Sequence, residues 1–306
     1  MAATDAARPI HAMEIGPVTV WSGASHGKYP DGNQLRVAGR DSVAIFDTPL
    51  ISLELDAELA AADLMILGHV HEDHMVGIGR FADRPLYVHE ADVAAARSWA
   101  GLAAHYGYEQ PALEPLREKV AQVFRCVDRP DAIAYADRAH WDLGQVRVEA
   151  IHMPGHTAGH CVLMIEPGSI AFIGDIDLSS FGPYYGDACS SLSAFRSTLK
   201  AMAALPARVW ITSHHKGVID SRERFLEQLA GFAARIEARE ARLLQLLAAG
   251  PSSIDELAAA GVMYRPGSAT EGWMICAERR CIDQHLRELL AAARVIEIEP
   301  SRFALR

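Results

Sequence analysis

The run His69-Val70-His71-Glu72-Asp73-His74 constrains this chain more than any other stretch. It places four metal-capable side chains, His69, His71, Asp73 and His74, directly behind the apolar segment Leu64-Met65-Ile66-Leu67-Gly68. Neutral imidazole and carboxylate are the usual nitrogen and oxygen donors for zinc and its neighbours, and a catalytic site uses three protein ligands while leaving a position open. In an extended chain, residues two apart point to the same side. His69 and His71 can therefore reach one ion, while Asp73 and His74, on the turn that follows, face a second.

Three further segments repeat the arrangement. Pro154-Gly155-His156-Thr157 follows the alternating residues Val146, Val148 and Ala150; Gly174-Asp175 follows Ile170-Ala171-Phe172-Ile173; Ser213-His214 follows Val209-Trp210-Ile211-Thr212. Each candidate ligand sits just past an apolar strand. In layered α/β proteins the strand is buried and rigid, and the loop at its end displays side chains on a fixed scaffold.

The order, spacing and residue types resemble the metallo-beta-lactamase superfamily, whose pattern is His-x-His-x-Asp-His, then Gly-His, Gly-Asp and a final His. The resemblance covers about the first three quarters of the chain. It implies an α/β (α+β) fold, an αββα sandwich with its metal groove along one edge. It also implies that His69, His71 and His156 hold a first ion, that Asp73, His74 and His214 hold a second, and that Asp175 bridges them. Ser213-His214-His215 offers two imidazoles, of which the resemblance favours His214; Asp177 is expected beside Asp175 as a turn or supporting residue. Two divalent ions, zinc in the first instance and iron or manganese as alternatives, would present hydroxide at neutral pH. Asp73 is expected to orient that nucleophile and to pass a proton to the leaving group.

Composition narrows the partners. A net charge of −10 and a sequence pI near 5.8 disfavour an electrostatic grip on nucleic acid or anionic membrane. The five Cys, at positions 126, 161, 189, 276 and 281, show no CxxC spacing and are expected to be reduced. Met1-Ala2-Ala3-Thr4-Asp5 lacks the features of a secretory signal, and no apolar run approaches the roughly 18 residues of a membrane span, so a cytoplasmic protein is expected.

A catalytic domain is expected over residues 1–230 and a small, mostly helical one over 231–306. In the latter, Ser253-Ile254-Asp255-Glu256 has capping-box spacing, and Val295-Ile296-Glu297-Ile298-Glu299 with Arg302-Phe303-Ala304-Leu305 reads as a hairpin. Three helices and a hairpin resemble a winged helix, which some superfamily members carry at this end. From Arg235 to Arg306, however, ten Arg face ten Asp plus Glu, without the basic excess of a nucleic-acid module. A lid or homodimer surface is expected instead, and a chain ending before Arg235 is expected to keep its metals.

The leading functional expectation is a binuclear metal-dependent hydrolase of an ester, thioester or lactone of a small organic molecule. Its similarity to glyoxalase II-like and lactonase-like members is at the level of the ligands. The alternatives are a phosphodiesterase or nuclease of the same superfamily and an iron-dependent sulfur dioxygenase. Tyr184 and Tyr185, in the loop that follows Asp175, and His26, on an early Gly-rich loop, are the candidate substrate contacts.

Overall fold

The computed structural model describes residues 10–306, so the first residues, read above for a leader, lie outside it. Seven strands form one sheet in sequence order: β1 Ala12–Ile15, β2 Val18–Trp21, β3 Gln34–Ala38, β4 Val43–Phe46, β5 Leu64–Ile66, β6 Leu86–His89 and β7 Ile133–Tyr135. Pairing is antiparallel from β1 to β4 and parallel from β4 to β7. A second sheet is built from β8 His140–Asp142, β9 Arg147–His152, β10 Cys161–Glu166, β11 Ile170–Phe172, β12 Val209–Ile211 and β13 Val218–Ile219, in the order β13-β12-β11-β10-β9-β8.

The two sheets bury their inner faces on each other, through residues such as Val20, Leu35 and Phe46 from the first and Val148, Leu163 and Phe172 from the second. Phe46 and Phe172 meet across the layer with ring centroids 5.9 Å apart. Strands apolar on both faces need cover on both. On the outer face of the first sheet that cover comes from α1 Trp99–Tyr106 and α2 Gln110–Gln122, and on the second from α3 Leu192–Met202 and α4 Arg222–Ala248. Trp210 of β12 stacks on Phe225 of α4 at 4.2 Å. The result is the expected α/β sandwich with a helical C-terminal part.

The Ala-rich stretch from about Glu90 to Ala104 reads in the sequence as a single helix, but it is Val93–Arg97 followed by α1, broken at Ser98, whose side chain caps Gly101 N at 3.0 Å. A Cβ on Gly101 would lie 1.8 Å from Ala94 O, so the two pieces cross where only glycine fits.

The expected division at 230/231 falls inside the continuous α4. Beyond it lie α5 Ile254–Ala260, α6 Gly272–Ala291 and a three-stranded sheet of β14 Ser252–Ser253, β15 Val295–Glu299 and β16 Arg302–Leu305, in which β16 pairs with both of the others. The capping box at Ser253 and Glu256 forms in full. This segment has its own core around Leu243, Leu257, Ile282, Leu286 and Phe303. Ala277 and Cys281 of α6 belong to the core under the second sheet, so the segment is packed onto the sandwich. Among the described residues no helix is long and apolar enough to cross a membrane.

Candidate metal centre

Four loops converge on one edge of the sandwich. β5 ends in the loop carrying His69 and His71, and a 3-10 turn, Glu72–His74, follows. His156 lies between β9 and β10, Asp175 beyond β11, and His214 beyond β12. The edge is laced by main-chain bonds: Cys161 N donates to Gly68 O at 2.8 Å, joining the two sheets, and Ser213 N donates to Gly174 O at 3.0 Å. His69, His71, Asp73, His74, His156 and His214 are all buried.

Two donor groups carry the expected ligands, and Asp47 also comes close to His69 and His74. His69, His71, His156 and Asp175 bring one ligand atom each to within 4.8 Å of one another, and so do Asp73, His74 and His214. Asp175 faces both. Its Oδ2 lies 3.3 Å from His156 Nε2 and 3.8 Å from His69 Nε2, while its Oδ1 lies 3.2 Å from His74 Nε2 and 3.4 Å from His214 Nε2. Asp73 Oδ2 is 3.2 Å from His214 Nε2. The seven sequence-predicted ligands are thus brought together. His215 turns away, with its Nε2 3.6 Å from Asp177 Oδ2 and its side chain one-third exposed.

The outer ring atoms state which nitrogen faces inward. His156 Nδ1 donates to Tyr184 O at 3.0 Å, and His214 Nδ1 to Asp31 O at 2.8 Å and Gly27 O at 2.9 Å. His74 Nδ1 meets Asp47 Oδ2 at 2.8 Å. A proton committed to Nδ1 leaves the Nε2 lone pair for the centre. In His71 the roles reverse, since Nε2 meets Asp187 Oδ2 at 2.8 Å and Nδ1 is left as the inward donor. The buried Nε2 atoms of His69 and His156 make no hydrogen bond. Buried polar atoms are ordinarily satisfied, so this donor set fits divalent metal ions.

The electrostatics show how tightly the charges are packed. Burial lowers the proton affinity of His71, but the hydrogen bond and charge of Asp187 prevail and lift its pKa to about 9. Burial is likewise outweighed at His214, raised to about 10 by Asp175 and Asp73. His69 is driven well below the usual histidine range by burial and by the charge of His74. Burial would raise the Asp175 carboxyl, yet His214, His74 and His69 hold it well below the ordinary carboxylate range.

Of the expected substrate contacts, Tyr184 stands at the site, its ring centroid 5.9 Å from that of His156 and 6.3 Å from that of His71. Tyr185 does not. It is fully buried, with its hydroxyl 2.9 Å from His285 Nε2 on α6, because consecutive residues of this loop point in opposite directions. His26 is exposed on a tight turn in left-handed backbone, and the carbonyl of its neighbour Gly27, rather than its own ring, touches His214.

Several supporting residues lie outside the sequence-predicted set. Asp92 accepts from Val70 N at 3.2 Å, Thr157 Oγ1 at 2.6 Å and Gly159 N at 2.7 Å, tying two ligand loops together. His160 bonds Met153 O at 3.1 Å through Nδ1 and accepts from Asp175 N at 3.3 Å. Asp47 does carry a signal, since it follows the apolar strand β4 just as the ligands follow theirs. Asp92 and Asp187 carry none.

A profile of the metallo-beta-lactamase superfamily matches residues 49–231, more than half of the chain. The chain belongs to the metallo-beta-lactamase superfamily. Most members are metal-dependent hydrolases, and members bind divalent metals. Among solved structures, it is similar to a metallo-beta-lactamase family protein from Thermus thermophilus (25% identity, TM-score 0.68, covering 90% of this chain and 94% of that one). It is also similar to a beta-lactamase domain protein from Burkholderia ambifaria (16% identity, TM-score 0.68, 96% and 93% covered) and to a metallo-beta-lactamase from Pontibacter korlensis (18% identity, TM-score 0.50, 72% and 99% covered). No curated protein sequence matches it. The first two superfamily structures align over the C-terminal segment as well as the sandwich, given the share of each chain covered.

Proposed function

We propose that this superfamily member is a binuclear metal-dependent hydrolase of an ester, thioester or lactone of a small organic molecule. The carrying observation is the split of the Asp175 carboxylate, with Oδ2 turned to His69 and His156 and Oδ1 to His74 and His214. His69, His71 and His156 would hold one ion, zinc being the first expectation, Asp73, His74 and His214 the other, and Asp175 both. Bound there, such ions would polarise the oxygen under attack and bring the pKa of water down toward about 7.

The chain's own groups supply the rest. Asp73, buried beside His214, takes the proton released in the attack and returns it to the leaving group. Substrate enters on the Asp175 side, where that carboxylate is 16% exposed while His69 is closed off. The ring of Tyr184 offers a flat wall for a small acyl group beside His71 and His156. The net charge of −10 supports a small molecule over nucleic acid. The order of α4, β14, α5, α6, β15 and β16 supports a winged-helix-like reading of the C-terminal domain, and a cytoplasmic location remains the sequence-based expectation.

The test is elemental analysis of protein purified without added metal or chelator, with a panel of esters, thioesters, lactones and phosphodiesters. Two zinc or manganese ions per chain and acyl-ester turnover, both lost in Asp175→Ala, are expected. A single iron per chain with oxygen uptake on thiol substrates would overturn the proposal.

A further inference from the structure

The two halves of the metal cluster are braced by different parts of the chain. His74 leans on Asp47, whose Oδ1 accepts from Gly68 N at 2.9 Å, and His214 leans on the carbonyls of Gly27 and Asp31. Those braces come from the N-terminal part of the first sheet. Two of the first-site ligands, His71 and His156, instead lean on loop 181–187, through the Asp187 carboxylate and the Tyr184 carbonyl.

That loop is shaped by the C-terminal segment. Arg239 of α4, 2% exposed, forms no ion pair among the described residues; it donates to Phe181 O at 2.8 Å and to Pro183 O, and its guanidinium lies over the Phe181 and Tyr185 rings at 5.1 and 5.3 Å. Gln284 of α6 donates to Tyr185 O at 2.8 Å and accepts from Leu192 N at 2.6 Å. Gly186 lies against Ala277, where a Cβ would approach the alanine methyl to 2.5 Å. A buried charge is costly unless it is hydrogen-bonded, and the bonds that satisfy this guanidinium are the carbonyls of loop 181–187, which ties Arg239 to that loop's shape. Asp187 itself is 1% exposed and also accepts from the hydroxyls of Tyr108 and Tyr184, so its Oδ2 is aimed at His71.

We infer that Asp187 is a positioning residue for the first metal site and that Arg239 and Gln284 hold it there, so that the C-terminal segment is a working part of the metal centre. The inference rests on the binuclear reading above. It reverses the expectation that a chain ending before Arg235 keeps both metals: such a chain lacks Arg239 and Gln284, and its first site weakens selectively.

The experiment is zinc titration against a competing chelator in two backgrounds, His214→Ala, which spares the first site, and His69→Ala, which spares the second. Asp187→Ala should weaken the remaining ion in the first background by about 10- to 100-fold, the usual cost of losing an outer-shell partner, and leave the second unchanged. Arg239→Met and Gln284→Leu should follow the same pattern to a smaller degree, and Asp47→Ala the opposite one. Should Arg239→Met fail to fold, Asp187→Ala and Gln284→Leu still decide. Equal weakening in both backgrounds, or none, overturns the inference. A wild type that takes one ion overturns the binuclear reading instead, and the response of that ion to Asp187→Ala still decides this one.

Discussion

The Tyr29 hydroxyl donates to Glu72 Oε1 across 3.1 Å, joining the N-terminal loop to the one acidic residue of the histidine-rich run that belongs to neither donor group. Glu72 is buried between His71 and Asp73, and its other oxygen accepts from Tyr106. The same Tyr29 ring lies 6.5 Å from Trp273 at the start of α6.

Tyr29→Phe keeps the ring contact and removes one hydrogen bond to a carboxylate. A loss of about 1 to 2 kcal/mol is expected, seen as a lower Tm with metal content unchanged. Loss of metal in this variant would show that Glu72 supports the ligands and not only the turn.

Stripping the metals should destabilise the protein. The site brings buried carboxylates and imidazoles within 3.2 to 3.8 Å of one another, and an ion that binds only the folded state stabilises it by about 2.7 kcal/mol per site at 100 times its Kd. Tm should fall after chelation and climb with added zinc. A Tm indifferent to both would argue against a metal centre here.

Gly155→Ala should be among the most damaging single changes outside the ligands. Gly155 has φ +138, and an added Cβ would lie 2.4 Å from Phe195 Cα on α3. Backbone against backbone cannot relax cheaply, and the next residue is His156, so a loss of about 3 kcal/mol or more and a weakened first site are expected. Thermal melts and metal analysis check both; a near-normal Tm would contradict the packing.

Stability should depend on pH through His285. Burial, followed by the charges of Arg196 and Arg239, lowers its pKa from 6.5 to about 3. The unfolded chain therefore takes up a proton that the folded one refuses. The contribution is complete above pH 6.5 and is lost as pH falls toward 3, by up to about 1.4 kcal/mol per pH unit. Denaturant unfolding of His285→Gln should show a shallower acid slope over that window, and an unchanged slope would place the sensitivity elsewhere.

Much of the fold is legible in the sequence because its signals are local. β2, β4 and β10 and the hairpin of β15 and β16 lie where alternating or continuous apolar runs place them. Short edge strands such as β1 and β8, which are largely exposed, carry no such run and escape a reading of the sequence. The break within 90–104 escapes it too, because Gly101 is set by a crossing with Ala94 that no periodicity reports.

The same division holds at the site. The candidate metal ligands can be read from sequence because each follows a strand and is an imidazole or carboxylate, a pattern that survives in one dimension. Read alone, the residues offer candidate donors behind apolar strands and the apolar periodicity of the layers, while the sandwich and the division of those donors between two ions are what the family resemblance implies. Only the tertiary structure decided that Asp187 braces His71, that Tyr184 faces the site while Tyr185 faces His285, and that Arg239 shapes the loop between them. Those contacts span from 58 positions, between Phe181 and Arg239, to 116, between His71 and Asp187. Their partners are ordinary residue types made specific only by burial and direction.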